Sequence, residues 1–216
     1  MRFQALPVVL AGALFGLFSA GPAAGEPAPA QVIMVDTPTA SSTVGTLTAY
    51  ERNGTGWQVV LGPTPARLGE LGVGEPQDDV FRTPVGTFPL GLAFGREPNP
   101  GTKLAYTRVD ASDWWDEDVD SATYNTMVRA PEKPSEDAEN LYESGAIYDY
   151  AVLVDHNPQR IPGRSAGIFL HVDDGDPTWG CIAIGRDEMR SLLQWLTPSA
   201  SPQITIGIGP PAPPTG

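Results

Sequence analysis

The chain has one cysteine, Cys181, and two histidines, His156 and His171, in 216 residues. A single cysteine excludes an intrachain disulfide. Positive charge is also scarce, with 13 Lys and Arg against 26 Asp and Glu and a formal charge of −13. A surface this acidic disfavours nucleic-acid binding, which needs a basic face, and electrostatic docking on anionic lipid. Metal-ligand spacings are missing too. The acidic residues beside His171 lack the loop spacing and terminal Glu of a calcium hand, and one His with scattered Asp is a poor zinc set. No metal and no other cofactor is expected.

What is present is punctuation: 24 Gly and 23 Pro, more than a fifth of the chain. That excess argues against a helical bundle and for a turn-rich, mostly β domain. The 41% apolar fraction is enough for a real core. The first 25 residues read as a cleaved secretory signal: Arg2, the uncharged apolar run Ala5 to Ala20, then Gly21-Pro22-Ala23-Ala24-Gly25. That run is shorter than the roughly 20 residues of a membrane span, and no cysteine follows it for a lipid anchor. The expected location is therefore extracytoplasmic, periplasm or cell wall, with no membrane anchor after cleavage. Residues 26–44, rich in Pro, Ala, Ser and Thr, read as a linker or exposed lead-in strand, and Gly209 to Gly216 as a disordered Pro-rich tail.

Between these ends lies one expected domain, 45–208. Strand-like runs are Gly45–Tyr50, Gln58–Leu61, Thr87–Leu90, Tyr150–Asp155, Gly167–Val172, Cys181–Ile184 and Gln203–Ile208. Asn53-Gly54-Thr55-Gly56 is a hairpin turn. One helix is expected over Asp187 to Leu196, where Met189, Leu192, Leu193 and Leu196 recur at helical spacing and Thr197-Pro198 ends the run. The stretch 91–149 is long and irregular, with Trp114-Trp115, several acidic residues and a polar segment. It reads either as a wall of a binding cleft or as a solvated acidic insertion whose Trp pair packs on the core.

The chemistry centres on Cys181 and His171, ten positions apart. A free thiol is only a few per cent ionised at neutral pH, and a neighbouring imidazole can take its proton and later return it. A strand ending at His171, a turn, and a strand beginning at Cys181 would bring the two to one end of a hairpin. The imidazole needs an orienting partner, and a backbone carbonyl near Val172 is one candidate. Gly180 allows close backbone approach, and adjacent N–H groups offer an oxyanion site. The bland alternative is a buried thiol that acts as a small hydrophobe and a His that is a surface or hydrogen-bonded residue.

Three segments together resemble the YkuD-type L,D-transpeptidase catalytic domain of bacterial cell-wall enzymes. They are Arg82-Thr83-Pro84-Val85-Gly86-Thr87-Phe88, Gly167-Ile168-Phe169-Leu170-His171 and Thr178-Trp179-Gly180-Cys181-Ile182. The resemblance implies a mostly β catalytic fold, a β-sandwich or barrel with one C-terminal helix and the long insertion. It implies that Cys181 is a nucleophile attacking a carbonyl of a peptidoglycan stem tetrapeptide, with His171 as base and release of terminal D-alanine. The acyl group then passes to an amine on another stem. Thr178 and Gly180 match the nucleophile loop, Gly180 with a backbone that helps form the oxyanion site. Trp179 stands where many members have a second His, and Ala183 where many have Arg. Trp179 and Trp115 are the expected substrate-binding residues, with Trp179 either lining the cleft or packed as core. Hydrolysis of the same stems and a non-catalytic wall-associated domain are the alternatives. A papain-like peptidase is not, because there Cys precedes His and here His171 comes first.

Overall fold

Short β-branched and apolar runs separated by Gly and Pro fold here into strands, as the punctuation requires. A computed structural model describes residues 28–54 and 56–214. The expected signal segment, residues 1–25, lies outside the described residues, as do residues 26–27, 55 and 215–216. In chain order the strands are β1 (Gln31–Thr37), β2 (Val44–Asn53), β3 (Gly56–Arg67), β4 (Val73–Gly74), β5 (Thr83–Pro84), β6 (Gly86–Gly95) and β7 (Tyr106–Arg108). They continue with β8 (Asp113–Asp116), β9 (Thr126–Arg129), β10 (Ala138–Asn140), β11 (Ala151–Val154), β12 (Phe169–Val172), β13 (Ile182–Ile184) and β14 (Gln203–Ile208). The helix α1 spans Arg186–Trp195.

The main sheet runs β11-β12-β13-β3-β2-β1-β14-β6-β7, and β11 also pairs with β6. That extra pairing closes eight strands into a barrel and leaves β7 as an addition on β6. Closure removes the exposed strand edges that a flat sheet would present. A small sheet, β10-β8-β9, stands over one side of it. The mostly β class with one helix expected from the sequence is what the chain adopts.

Each of the seven expected strand runs is a strand, and three of them, β2, β3 and β6, are longer than their sequence signal. β3 continues through Gly62, Pro63 and Pro65, which read as breakers. Proline is tolerated there because Gly62 and Pro63 fall at an irregularity of the β2 register, between the Leu47↔Thr64 and Ala49↔Leu61 pairs, and β3 meets β13 only at Ala183↔Arg67 on its other side.

The linker reading of 26–44 is corrected by β1. Gln31–Thr37 is an inner strand, parallel to β14 and antiparallel to β2. Ile33 and Val35 are fully buried in the core. Pro29 and Pro38 bracket this strand without interrupting its ladder, so a composition reading that averages over its flanks hides it.

The helix stripe packs as core. Met189, Leu192, Leu193 and Leu196 join Ile33, Leu47, Ile182 and Ile204 in one cluster. Asp187 and Glu188 occupy its first turn, where the helix dipole favours acid. A second cluster, built from Phe94, Trp115, Tyr148, Ala151 and Phe169, lies between the barrel and the 91–149 region. That region is less irregular than its sequence suggests, because β7 to β10 all fall within it.

Candidate active site

β12 and β13 are parallel neighbours, with Leu170↔Ile182, His171↔Ala183 and Val172↔Ile184 in register. The hairpin expected for them is therefore corrected: the intervening turn carries the chain back to the start of β12 before β13 begins. Gly69↔Thr178 bridging holds that return beside the end of β3. Sequence marks where strands end but not their relative direction, and a connection of this length usually reads as a hairpin.

Cys181 sits immediately before β13, one step ahead of Ile182 and so level with Phe169. Residues side by side in a ladder share a face, and alternate residues along a strand do too. Cys181 and His171 thus point to the same side of the barrel, on a diagonal of about 8 Å between Cα atoms. Ala151 and Ala183 flank His171 in the same row. Two small side chains leave room for the imidazole between them.

His171 is buried, and its Nδ1 lies 2.9 Å from the Val172 carbonyl oxygen. A carbonyl only accepts, so Nδ1 carries the proton in the neutral ring and Nε2 keeps its lone pair. Burial lowers the His171 pKa, outweighing the nearby Asp174 and Asp173, so the ring rests neutral. The ring of Tyr148 meets it edge-on at 5.5 Å and 84°.

The half-buried Cys181 thiol donates to the Gly167 carbonyl oxygen at 3.3 Å and accepts from the Phe169 amide at 3.3 Å. Burial pushes its pKa up, and Glu139 and Glu117 push it further in the same direction. At rest Cys181 carries a thiol, and no hydrogen bond joins it to His171 among the described residues.

The loop before Cys181 is fixed by its own polar groups. Thr178 Oγ1 donates to the Cys181 carbonyl at 2.6 Å and accepts from the Gly180 amide at 3.2 Å. Thr83, from the Arg82–Phe88 segment, donates to the same carbonyl at 3.1 Å. Gly180 has φ of +129°, and a Cβ there would stand 3.0 Å from Ile168 Cδ1 and 3.2 Å from the Arg82 carbonyl oxygen, so only glycine fits. Because the Gly180 amide is used by Thr178, it is not free to face an oxyanion. The Cys181 amide has no partner among the described residues.

Trp179 and Trp115 part company. Trp179 is 76% exposed and stacks on Phe81 with centroids 5.4 Å apart and planes 22° apart. It is surface two positions before Cys181, not core. Trp115 is 2% exposed and packs edge-to-face on Phe169 at 5.0 Å. Its Nε1 donates to Asn125 Oδ1, which also accepts from the Gly167 amide, each at 3.1 Å. Asn125 therefore links the insertion to the carbonyl-bearing residue that holds the thiol.

Sequence reasoning missed Glu117, Asn125, Glu139 and Tyr148, all supplied by the 91–149 region. Glu117 packs against Gly167, where a Cβ would fall on its carboxylate. Burial first, then Glu139 and neighbouring aspartates, raise Glu117 to about 8. Glu139 accepts from Tyr148 and Ser144, each at 2.9 Å, and burial raises its pKa as well. For Glu117 and Glu139 the only sequence signal was acidity without periodicity, which reads equally well as solvated surface.

Among the described residues, no group of three or more His, Cys, Asp or Glu is placed to hold a metal ion, and no helix is long and apolar enough to cross a membrane.

The L,D-transpeptidase catalytic domain model, YkuD, matches residues 30–206. With most of its length covered, the chain belongs to the YkuD L,D-transpeptidase catalytic domain family. A search of curated proteins gave no match. Among solved structures, the chain is similar to the helical cell shape determining protein Pgp2 from Campylobacter jejuni, at 12% identity and a TM-score of 0.41. The alignment covers 87% of this chain and 50% of that one, so the chain spans about half the length of Pgp2.

Proposed function

We propose that the protein is an exported cysteine acyltransferase that acts on peptidoglycan stem peptides by L,D-transpeptidation. One observation supports it above the others: Cys181 and His171 share a face, with His171 Nδ1 tied to the Val172 carbonyl so that Nε2 is the basic nitrogen.

The thiol is protonated at rest, so its proton leaves as it attacks. His171 Nε2 takes the proton while sulfur bonds to the stem-peptide carbonyl carbon. The oxyanion that forms faces the free Cys181 amide. The C–N bond then breaks, the leaving D-alanine amine takes the proton from His171, and a Cys181 thioester remains. An acceptor amine attacks the thioester, loses its proton to His171, and sulfur leaves and is reprotonated. Water in place of the amine gives hydrolysis of the same stems. Trp179, exposed beside Gly180, is the proposed substrate-facing rim, and Trp115 the buried support beneath. The leader at residues 1–25 delivers the enzyme to the compartment that holds this substrate.

Incubation with disaccharide-tetrapeptide, followed by mass spectrometry, tests the reading. A Cys181 acyl adduct with loss of D-alanine is expected. Unmodified Cys181 with intact substrate overturns it.

A further inference from the structure

The chain has five tryptophans, and four of them are buried or partly buried. Trp179 is the exposed one, stacked on Phe81 with ring planes 22° apart. Leu71, 51% exposed, donates its amide to the Phe81 carbonyl at 3.0 Å. Scattered apolar side chains are ordinary on a protein surface, but contiguous ones mark a place where something binds.

One segment, residues 68–72, fixes both rings. The Thr178 amide donates to the Leu68 carbonyl and the Glu70 amide to the Thr178 carbonyl, each at 2.9 Å, which ties down the residue before Trp179. Leu71 ties down Phe81, and Gly69 packs so closely that a Cβ there would run into the Phe81 carbonyl. Backbone bonds on both sides therefore set the stack, and the outer face of the indole stays open. Its edge is open too. Trp114 and Trp115 donate their ring N–H groups to the Ala130 carbonyl and to Asn125, whereas that of Trp179 has no protein acceptor among the described residues.

A fixed aromatic face with one donor at its edge fits a ring whose faces carry C–H bonds and whose rim carries oxygens, as a pyranose does. The slightly positive C–H hydrogens meet the negative face of the indole. Charge favours the same ligand: a chain of formal charge −13 repels the carboxylates of a stem peptide but not a neutral sugar ring. The reach agrees as well. Trp179 is two residues from Cys181, so their Cα atoms lie within about 7 Å, and the indole extends outward from there. Three extended stem residues, from the sugar to the attacked carbonyl, span about 10 Å. A pair of rings is also far too small for a stable protein interface, which buries about 1,200 Å² or more. We infer that the Trp179–Phe81 stack is a saccharide subsite, on which a pyranose ring of the glycan strand lies flat while its stem reaches Cys181. The place of that sugar in the reaction rests on the transpeptidase reading; its binding does not.

The first test uses the full chain and chitotriose, a neutral oligomer of N-acetylglucosamine with no stem. Nuclear magnetic resonance titration follows the indole N–H signals, with that of Trp179 identified by its loss in Trp179→Phe. Chitotriose should shift the Trp179 signal saturably, with a dissociation constant of about 1 mM, and leave that of buried Trp115 in place. Trp179→Ala should weaken binding at least about tenfold, and circular dichroism checks that it folds. The inference is overturned if the Trp179 signal does not move, or if the folded Ala variant binds chitotriose as wild type does. Should that variant fail to fold, the wild-type titration decides alone.

A second arm compares Cys181 acylation by disaccharide-tetrapeptide and by the same tetrapeptide without sugar. Wild type should favour the sugar-bearing substrate by about tenfold in kcat/KM, chiefly through KM. Trp179→Ala should bring that ratio close to one, and Trp179→Phe should restore much of it. The same ratio in wild type and in the Ala variant overturns the place of the sugar in the reaction. Absence of acylation by either substrate counts against the transpeptidase reading and leaves the chitotriose titration to stand by itself.

Discussion

The thiol of Cys181 donates to the carbonyl oxygen of Gly167 at 3.3 Å. This bond orients the sulfur without ionising it, because a carbonyl accepts a proton's hydrogen bond and offers no base. The Cys181→Ser variant keeps a donor in the same place, so the fold should survive with its melting temperature within a few degrees of wild type. Turnover of disaccharide-tetrapeptide should fall at least about 10³-fold, since an alcohol is far less acidic than a thiol. Wild-type-like turnover would remove Cys181 from the mechanism.

The two histidines should separate cleanly. His171→Gln removes the proposed base and should lower kcat/KM by about 10²–10⁴-fold. His156 is engaged elsewhere, with Nε2 2.9 Å from the Arg164 carbonyl and 3.1 Å from that of Ser165. His156→Gln should cost about 1–2 kcal/mol of stability through these bonds and leave kcat nearly unchanged. A larger kinetic loss at His156 than at His171 would reverse the assignment.

The ease with which the site can be found in the sequence follows from scarcity. With one Cys and two His, the proposed nucleophile and base have few candidates, and Thr178 and Gly180 come with the loop that leads into Cys181. Strand direction was not legible: β12 and β13 show their ends but not that they run parallel. Nor was β1, whose short apolar run is enclosed by proline and small polar residues. Glu117, Asn125, Glu139 and Tyr148 were hidden for another reason. They lie on short strands, turns and a 3-10 turn where no periodicity marks an inward face, and tertiary packing alone directs them at Gly167, Cys181 and His171.

Glu117 gives stability a pH dependence of defined sign. Its carboxyl titrates at about 8 in the folded state against an ordinary 4.5. The folded state therefore holds the proton more tightly. Its contribution is fully present below the unfolded value and lost as pH rises through the folded one. His156 and His171, both lowered by burial, act in the opposite sense, losing stability as pH falls below about 6.5. Comparing Glu117→Gln with wild type isolates the carboxyl. The variant's melting temperature should rise relative to wild type between about pH 4.5 and 8, then change no further. A constant difference across that range would show that Glu117 is not held protonated.

The same carboxyls burden the thiol. Glu139 and Glu117 both raise the Cys181 pKa after burial has done so. Iodoacetamide should alkylate the resting enzyme slowly at neutral pH, and Glu139→Gln should move the alkylation profile to lower pH while Gln still accepts from Tyr148. An unchanged profile would remove Glu139 from the electrostatics of the nucleophile.

Trp179 tests whether the rim beside the nucleophile reads substrate. Sequence left two fates open for it, core or cleft, and its 76% exposure excludes the core. A buried Trp replaced by Ala would cost about 3–5 kcal/mol. Here the change loses only the stacking on Phe81, worth about 0.5–1.5 kcal/mol beyond area burial. The melting temperature of Trp179→Ala should therefore drop by only a few degrees. The Cys181 thiol, held by Gly167 and Phe169, and the loop, held by Thr178 and Thr83, make none of their bonds to the indole. Acylation by a small activated ester should accordingly stay close to wild type. Stem peptides are larger and must pass the rim, so their relative kcat/KM values should be reordered, with KM changing more than kcat. Trp179→Phe, which keeps an aromatic face, should restore much of the original order. An unchanged ranking in the Ala variant, with the small ester also unaffected, would show that the indole takes no part in substrate selection.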